Sequence, residues 1–435
     1  MPHRALGPHS GHSPHAYRGD PSKPERRWQM VAAAMFCCGW AGNQFTPLLL
    51  MYRQLAGYSS VTVDAFFGAY VLGLAPGLLV GGPLSDRYGR RPVMWGGTAL
   101  SAIASAVLAT GILGELPIYA GRFLTGIAVG VAMAVGSSWI TELSRPPFEP
   151  AADAGAGARR ASLSLTAGFA TGAGVAGALA QWAPWPMVLP YAVQVVVALP
   201  CLAVVRRVPQ PPAKGHAGSL WSDLRVPAAG HRRFLWVVLP LAPWIFGAAG
   251  IAYAVTPQLE AGRVGHWQLA YATLLAVVTL GTGVAVQPIA KRLDSTSSAR
   301  GSIVALALVV AGVLVCASNA GSRSPWVALL GAVVLGAGYS IALVSGLLEI
   351  QRIATGDDLA GLTGVYYALS YIGFLLPTAL AVASTAASYT VSLLAVAVVA
   401  AGCLVIVATH SRRHISVTEH GRPLPAAPAE PAGRP

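Results

Sequence analysis

Charge is what this chain of 435 residues has least of: Asp, Glu, Lys and Arg together make up 10% of it, against roughly 25% in a soluble domain. With 54% hydrophobic residues and a mean hydropathy of +0.59, the chain cannot dress its own surface in water. A bilayer removes that demand, because lipid covers apolar surface while helices satisfy their own backbone. All ten histidines fall in tails or loops, and neither paired carboxylates nor a nucleophile motif occurs within the apolar runs, which excludes a membrane-embedded enzyme. The five cysteines (37, 38, 201, 316 and 403) all lie inside apolar segments without metal or disulfide spacing. They read as packing residues, and no metal or cofactor is expected.

What is there is a series of apolar runs, each near the roughly 20 residues a spanning helix needs. They fall at 30–53, 61–81, 93–113, 116–141, 161–181 and 186–205, then at 234–258, 267–288, 301–318, 325–349, 360–384 and 389–409. The first follows a polar start and is too long for the apolar core of a cleaved leader, so it is expected to remain as a helix. The expected organisation is an all-α membrane protein of twelve transmembrane helices. It comprises a disordered tail 1–27, a six-helix bundle 28–205, a central cytoplasmic loop 206–233, a second bundle 234–410 and a disordered tail 411–435.

The net charge of +13 is not a nucleic-acid signature, because the basic residues fall in short loops flanking apolar segments. With both termini cytoplasmic, only Arg53, Arg263 and Arg323 of the 29 Lys and Arg lie on the opposite side, and Arg122 alone lies within the membrane. This asymmetry supports an even helix count and a multi-pass plasma-membrane protein.

Internal echoes suggest parallel six-helix repeats, hence two pseudo-symmetric bundles. Pro83-Leu-Ser-Asp-Arg87 is echoed by Pro288-Ile-Ala-Lys-Arg292, Glu142-x-x-Arg145 by Glu349-x-x-Arg352, and Thr46-Pro47 by Thr256-Pro257.

Between the second and third runs stands Gly82-x-Leu84-x-Asp86-Arg87-x-Gly89-Arg90-Arg91. It resembles the signature loop of the major facilitator superfamily, most like the branch of drug or metabolite:proton antiporters. Gly82 is expected to admit a neighbouring helix and Gly89 to make the tight turn. Asp86 is expected to accept hydrogen bonds from basic side chains or a helix N-terminus. The resemblance implies a cytoplasmic gate of Gly82, Asp86, Arg87, Gly89, Arg90 and Arg91, which Glu142, Arg145, Glu349 and Arg352 would reinforce.

An arginine inside a spanning helix is costly and by default functional. Arg122, followed by Gly126 and Gly130, resembles the superfamily's second motif, linked in exporters to proton coupling. Asp64 is the one acid inside an expected helix and away from its cytoplasmic end, at a depth similar to that of Arg122. The two are candidates for a proton-linked pair; alternatively Asp64 favours the N-terminus of its helix beside Ser59, Ser60 and Thr62. The fifth run, Gly168-x-x-x-Gly172-Ala-x-x-Ala-Gly177, partly matches the glycine-rich pattern of proton-driven drug exporters. Helix 1 carries no carboxylate, where many drug exporters have one.

Mid-helix polar and aromatic residues are the candidates for a substrate cavity: Trp40, Asn43, Gln44, Trp244, Tyr253, Tyr339, Tyr366, Tyr367 and Tyr371. Such a cavity suits an amphiphilic organic compound better than an ion. The expected function is secondary transport by alternating access, as a proton-coupled exporter of a drug-like compound or metabolite. The alternative is a proton-coupled importer of a sugar or other small metabolite. The expected partners are a small molecule, protons and lipid, with no nucleic acid and a monomeric protein.

Overall fold

Each apolar run closes into a helix because a backbone inside lipid has no other way to pair its N–H and C=O groups. The structure, a computed structural model, describes residues 27–152, 156–209, 227–293, 295, 297–354 and 359–413, and no strand occurs among them. The first six helices are α1 (Trp28–Asn43, continued as Leu49–Leu55), α2 (Ser60–Tyr88), α3 (Arg90–Leu113), α4 (Glu115–Leu143), α5 (Ala156–Trp182) and α6 (Leu189–Val205). The last six are α7 (Phe234–Glu260), α8 (Gln268–Arg292), α9 (Arg300–Ser322), α10 (Pro325–Ile353), α11 (Gly361–Ala383) and α12 (Tyr389–His410). Ten are long and apolar enough to cross a membrane; α6, at 17 residues, is shorter, and α1 is broken by a 3₁₀ turn at Thr46–Leu48. The expected tails lie almost wholly outside the described residues, as does the middle of the expected central loop.

The packing of the first six helices is repeated by the last six. Helix α2 lies on α4, α3 on both α4 and α6, and α1 on α5. Correspondingly α8 lies on α10, α9 on α10 and α12, and α7 on α11. Small residues set these contacts, as expected where lipid offers no hydrophobic drive between helices. A Cβ on Gly77 would meet the Ile127 carbonyl oxygen at 2.5 Å, and one on Gly130 would meet that of Leu74 at 2.5 Å. Gly126 abuts the Tyr70 carbonyl in the same seam, and in the second half Gly336 abuts the carbonyl of Thr279. Gly168 and Gly172 of α5 lie against the backbone of α1 at Phe36 and Trp40.

Two expectations are corrected at the signature segment. Helix α2 continues to Tyr88 and α3 begins at Arg90, so most of the expected loop is helical and Gly89 alone is the joint. Its φ of +95° and ψ of 156° suit a residue without a Cβ. Gly82 does not bring a helix close: a Cβ there would meet nothing within 4 Å. Close approach belongs to Gly73, Gly77 and Gly81, which face α4.

Four helices lose regularity within the membrane. Besides the turn in α1, there are π-helical turns at Ala132–Gly136 in α4 and Ile251–Val255 in α7, and a 3₁₀ turn at Gly373–Leu375 in α11. The Thr-Pro echo acquires a physical meaning here. Thr46 Oγ donates to Asn43 Oδ1 at 2.6 Å, and Thr256 Oγ donates to the Ile251 carbonyl at 2.8 Å. Each threonine thus supports an irregular turn, while the following proline has no N–H to continue the helix.

Candidate functional site

The irregular turns surround a chamber between the two halves. From the first half it is lined by Gly42 and Asn43 of α1, Phe67 and Tyr70 of α2, Arg122 of α4 and Phe169 of α5. From the second come Phe246 and Tyr253 of α7, Leu280 of α8, Tyr339 of α10, and Tyr371 and Phe374 of α11. The room left for the centre of a water-sized sphere is about 20 Å³, about one water molecule's worth. The chamber is therefore drawn shut around its aromatic walls. Phe246 stacks on Tyr371 at 4.0 Å between centroids, and Phe67 meets Phe374 edge-on at 4.8 Å across the interface between halves.

Of the expected cavity residues, Asn43, Tyr253, Tyr339 and Tyr371 line this space. The others have different places. Gln44 is turned behind α1, where its Nε2 donates to Ser105 Oγ at 2.9 Å. Trp40 packs against Phe36 and the α5 backbone at Gly172. The Tyr366 hydroxyl donates to the Ala342 and Leu343 carbonyls at 3.1 Å, with Tyr367 beside it at 5.8 Å between rings. Trp244 is buried away from the lining. Sequence reasoning overlooked Phe67 and Tyr70, because aromatic side chains in an apolar run give no sign of which face of the helix they occupy.

Arg122 is fully buried. Its Nε and Nη1 donate to the carbonyls of Phe66 and Gly42, both at the long distance of 3.4 Å. The Phe45 and Tyr70 rings lie 4.5 and 4.6 Å from its guanidinium carbon, within cation–π range. Nη2 has no partner. The structure does not bring Arg122 and Asp64 together as a pair. Asp64 Oδ1 instead accepts from Gln258 Nε2 at 3.1 Å, and Gln258 Oε1 accepts from Arg53 Nη1 at 2.9 Å. Nor does Asp64 cap α2; Ser59 does so, accepting from the Thr62 N–H at 3.1 Å.

The Arg53–Gln258–Asp64 chain ties α1, α7 and α2 together at the end of the molecule opposite Gly89. Nearby, Thr378 of α11 donates to the Asp64 carbonyl at 2.8 Å, Gln54 donates to Gln268, and Gln181 of α5 donates to the His266 carbonyl at 2.9 Å. Each bond crosses between halves, so this end is closed. Glu260, outside the expected seventh run, proves to be the last residue of α7. It is buried, with Oε1 accepting from Asn319 Nδ2 at 2.7 Å.

At the Gly89 end the two halves hold separate polar clusters. Arg90 Nη2 reaches Asp86 at 2.7 Å and Glu142 at 2.9 Å, and Nη1 donates to Ser85 Oγ. Arg87 and Arg91 are half-buried beside it. Arg145 does not join Glu142: its side chain is exposed, while Glu149 is held by Arg160 at 2.5 and 3.0 Å. In the second half Glu349 is gripped at both oxygens by Arg233, at 2.6 and 2.9 Å, and receives Arg352 at 3.0 Å. Arg233 Nη1 also donates to the carbonyls of Ser411 and Arg413 at 3.2 and 3.1 Å, fastening the end of α12. Arg233 was not singled out from the sequence, where it is one of two adjacent arginines preceding a helix.

Comparison with known proteins agrees with this architecture. The 3-(3-hydroxy-phenyl)propionate transporter of Escherichia coli (strain K12) is 36% identical over 117 residues, 27% of this chain and 28% of its own length. The chloramphenicol resistance protein of Pseudomonas aeruginosa is 25% identical over 239 residues, 55% of each chain. The chain thus spans about a quarter and about half the length of these two relatives. Among solved structures, a POT family transporter in complex with 5-aminolevulinic acid superposes with a TM-score of 0.72 at 13% identity, covering 92% of this chain and 98% of the other. The xylose transporter XylE from E. coli, in a partially occluded inward open conformation, gives 0.69 at 14% identity, covering 89% and 98%. At such identities the likeness is one of fold. The profile of the Major Facilitator Superfamily matches residues 30–378, and the chain accordingly belongs to that superfamily of membrane transporters.

Proposed function

We propose that this secondary transporter is a proton-coupled exporter of an amphiphilic aromatic compound, a drug or a metabolite. It works as a monomer in the plasma membrane, with both termini and the Gly89 end in the cytoplasm. The observation that carries the reading is the aromatic chamber between the halves, with a single arginine in its wall. Alternating access needs such a chamber to open to one side at a time. The hydrogen bonds at the Asp64 end and the Arg90 cluster at the other are suited to act as its two gates. Export is supported by the chloramphenicol resistance relative and by the glycine pattern of α5.

Proton coupling is assigned to Asp64, with Arg122 sensing the state of the chamber. Asp64 is buried, faces Gln258 and lies in the field of Arg53. A proton on its carboxylate removes the charge around which that chain of contacts is built, so protonation and opening of this end are linked.

The test is transport into inverted membrane vesicles with and without an imposed proton gradient, using chloramphenicol and small aryl compounds as cargo. Gradient-dependent accumulation that collapses with an uncoupler is expected. Accumulation that persists with the uncoupler rules out proton antiport, and accumulation only in right-side-out vesicles would establish import.

A further inference from the structure

A guanidinium keeps its charge in proteins, and a charge inside a membrane protein requires a counter-charge or dense hydrogen bonding. Arg122 has neither in full. Two of its nitrogens make only 3.4 Å bonds to backbone carbonyls, and Nη2 makes none. No carboxylate lines the chamber, and among the described residues no ion pair includes Arg122. The nearest acid along α2, Asp64, is committed to Gln258 at the closed end. The Phe45 and Tyr70 rings offset this charge in part, but the chamber carries on its first-half wall a positive charge with no anion beside it. Its second-half wall is a ring-lined surface, with Phe246, Tyr371 and Phe374 packed at 4.0 to 5.6 Å between centroids.

We propose that the substrate is an aromatic carboxylate, whose carboxylate is held by Arg122 while its ring lies among Phe246, Tyr371 and Phe374. The pairing follows from the two walls. A guanidinium fork matches a carboxylate with two parallel N–H···O bonds, and rings favour offset or edge contacts with another ring. A neutral molecule fills the same space but leaves the Arg122 charge without an anion. An organic ammonium adds a like charge to it. Because the anion touches one half and the ring the other, a bound substrate of this kind adds its own bridge to the Phe67–Phe374 contact between the halves. The assignment rests on the transporter reading and adds the charge and chemistry of the cargo.

The test is ligand binding to the full-length purified protein in lipid nanodiscs, read as a thermal-stability shift titrated to give Kd. The probes are 3-phenylpropionate, 3-phenylpropionamide, 3-phenylpropylammonium and hexanoate at pH 7. Loss of a charge-assisted hydrogen bond predicts that the amide binds roughly tenfold to a hundredfold more weakly than the acid. The ammonium is expected not to bind, and hexanoate, lacking the ring, to bind more weakly than 3-phenylpropionate. Arg122→Gln is expected to bring acid and amide to the same affinity, and Arg122→Lys to restore part of the preference. Should Arg122→Gln fail to fold, the acid-to-amide ratio of the unaltered protein decides alone. Equal affinities for acid and amide, a preference for the ammonium, or no binding of 3-phenylpropionate overturns the proposal. Chloramphenicol flux through reconstituted vesicles is measured in parallel. If flux persists while the acid preference is absent, only the substrate assignment falls.

Discussion

The same Glu-x-x-Arg sequence stands at the C-terminal ends of α4 and α10, but the two glutamates live in different surroundings. Glu142 is 32% exposed, and it shares Arg90, itself 12% exposed, with the half-open Asp86. Glu349 and Arg233 are each 2% exposed, joined through both carboxylate oxygens, and continued by further bonds to the end of α12. An exposed ion pair contributes about 0–1 kcal/mol. A buried one, once half of it is removed, costs about 3–5 kcal/mol because a charge is left alone in a dry interior. The first-half cluster is thus cheap to make and break, as the proposed gate requires. The second-half cluster is a fastening that holds α7, α10 and α12 as a unit.

The contrast is broken most directly at its stronger member. Arg233→Met takes the bonds at both oxygens of Glu349 and leaves it only Arg352, so it should destabilise the protein by up to about 3 kcal/mol, seen as a fall in thermal unfolding temperature in detergent. Combining it with Glu349→Leu should recover much of that loss, since the buried carboxylate that had kept only Arg352 is gone. If the double variant is no better than the single, the cluster is not acting as a closed pair.

The helix seams offer a control in which the halves should agree. Gly126→Ala presses on the Tyr70 carbonyl and Gly336→Ala on that of Thr279. Each should cost about 1–3 kcal/mol by overpacking, by similar amounts in the same unfolding assay. A large difference between them would show that the repeat is only approximate where the backbone comes closest.

The smallest effect on stability is expected at Glu142→Gln, which leaves Arg90 its Asp86 contact and should cost less than about 1 kcal/mol. Its consequence is conformational. A cysteine placed at Ser138, on the same α4 segment, should react faster with a membrane-impermeant thiol reagent when Glu142 is changed. Unchanged labelling would remove Glu142 from the gate. At the other end, Asp64→Asn should leave unfolding nearly unchanged but flatten the pH dependence of transport. A variant that retains the full pH response would remove Asp64 from the coupling.

Much of this was legible in the residues, and the reasons differ by element. The twelve spans follow from apolar length alone, and the signature segment from its spacing. The helical character of Gly82–Tyr88 was not, because polar residues at a membrane boundary read equally as loop or as helix end. Arg233 was hidden for a related reason: basic residues before a span look like orientation charges until their partners, distant in sequence, are seen. In the chamber, polar and aromatic residues of α1 and α10 were flagged by type, but type does not say which face points inward. Gln44 therefore turned out to serve Ser105, while Phe67 and Tyr70 passed unnoticed.

The closure at the Asp64 end sets a tempo. Its cross-half bonds run largely through amides and a hydroxyl: Gln258 bridging Arg53 and Asp64, Thr378, and Gln181. The neutral bonds contribute about 1 kcal/mol each in net terms, and the two that engage the Arg53 and Asp64 charges about 1.5–3 kcal/mol each. Every 1.36 kcal/mol of barrier slows a step about tenfold. Parting this end therefore costs several orders of magnitude in rate, but the cost is spread over separate bonds that can break one at a time, whereas the doubly joined Arg233–Glu349 pair parts as one. A lock of amides and a hydroxyl that yields bond by bond is what the proposed cycle asks of this end.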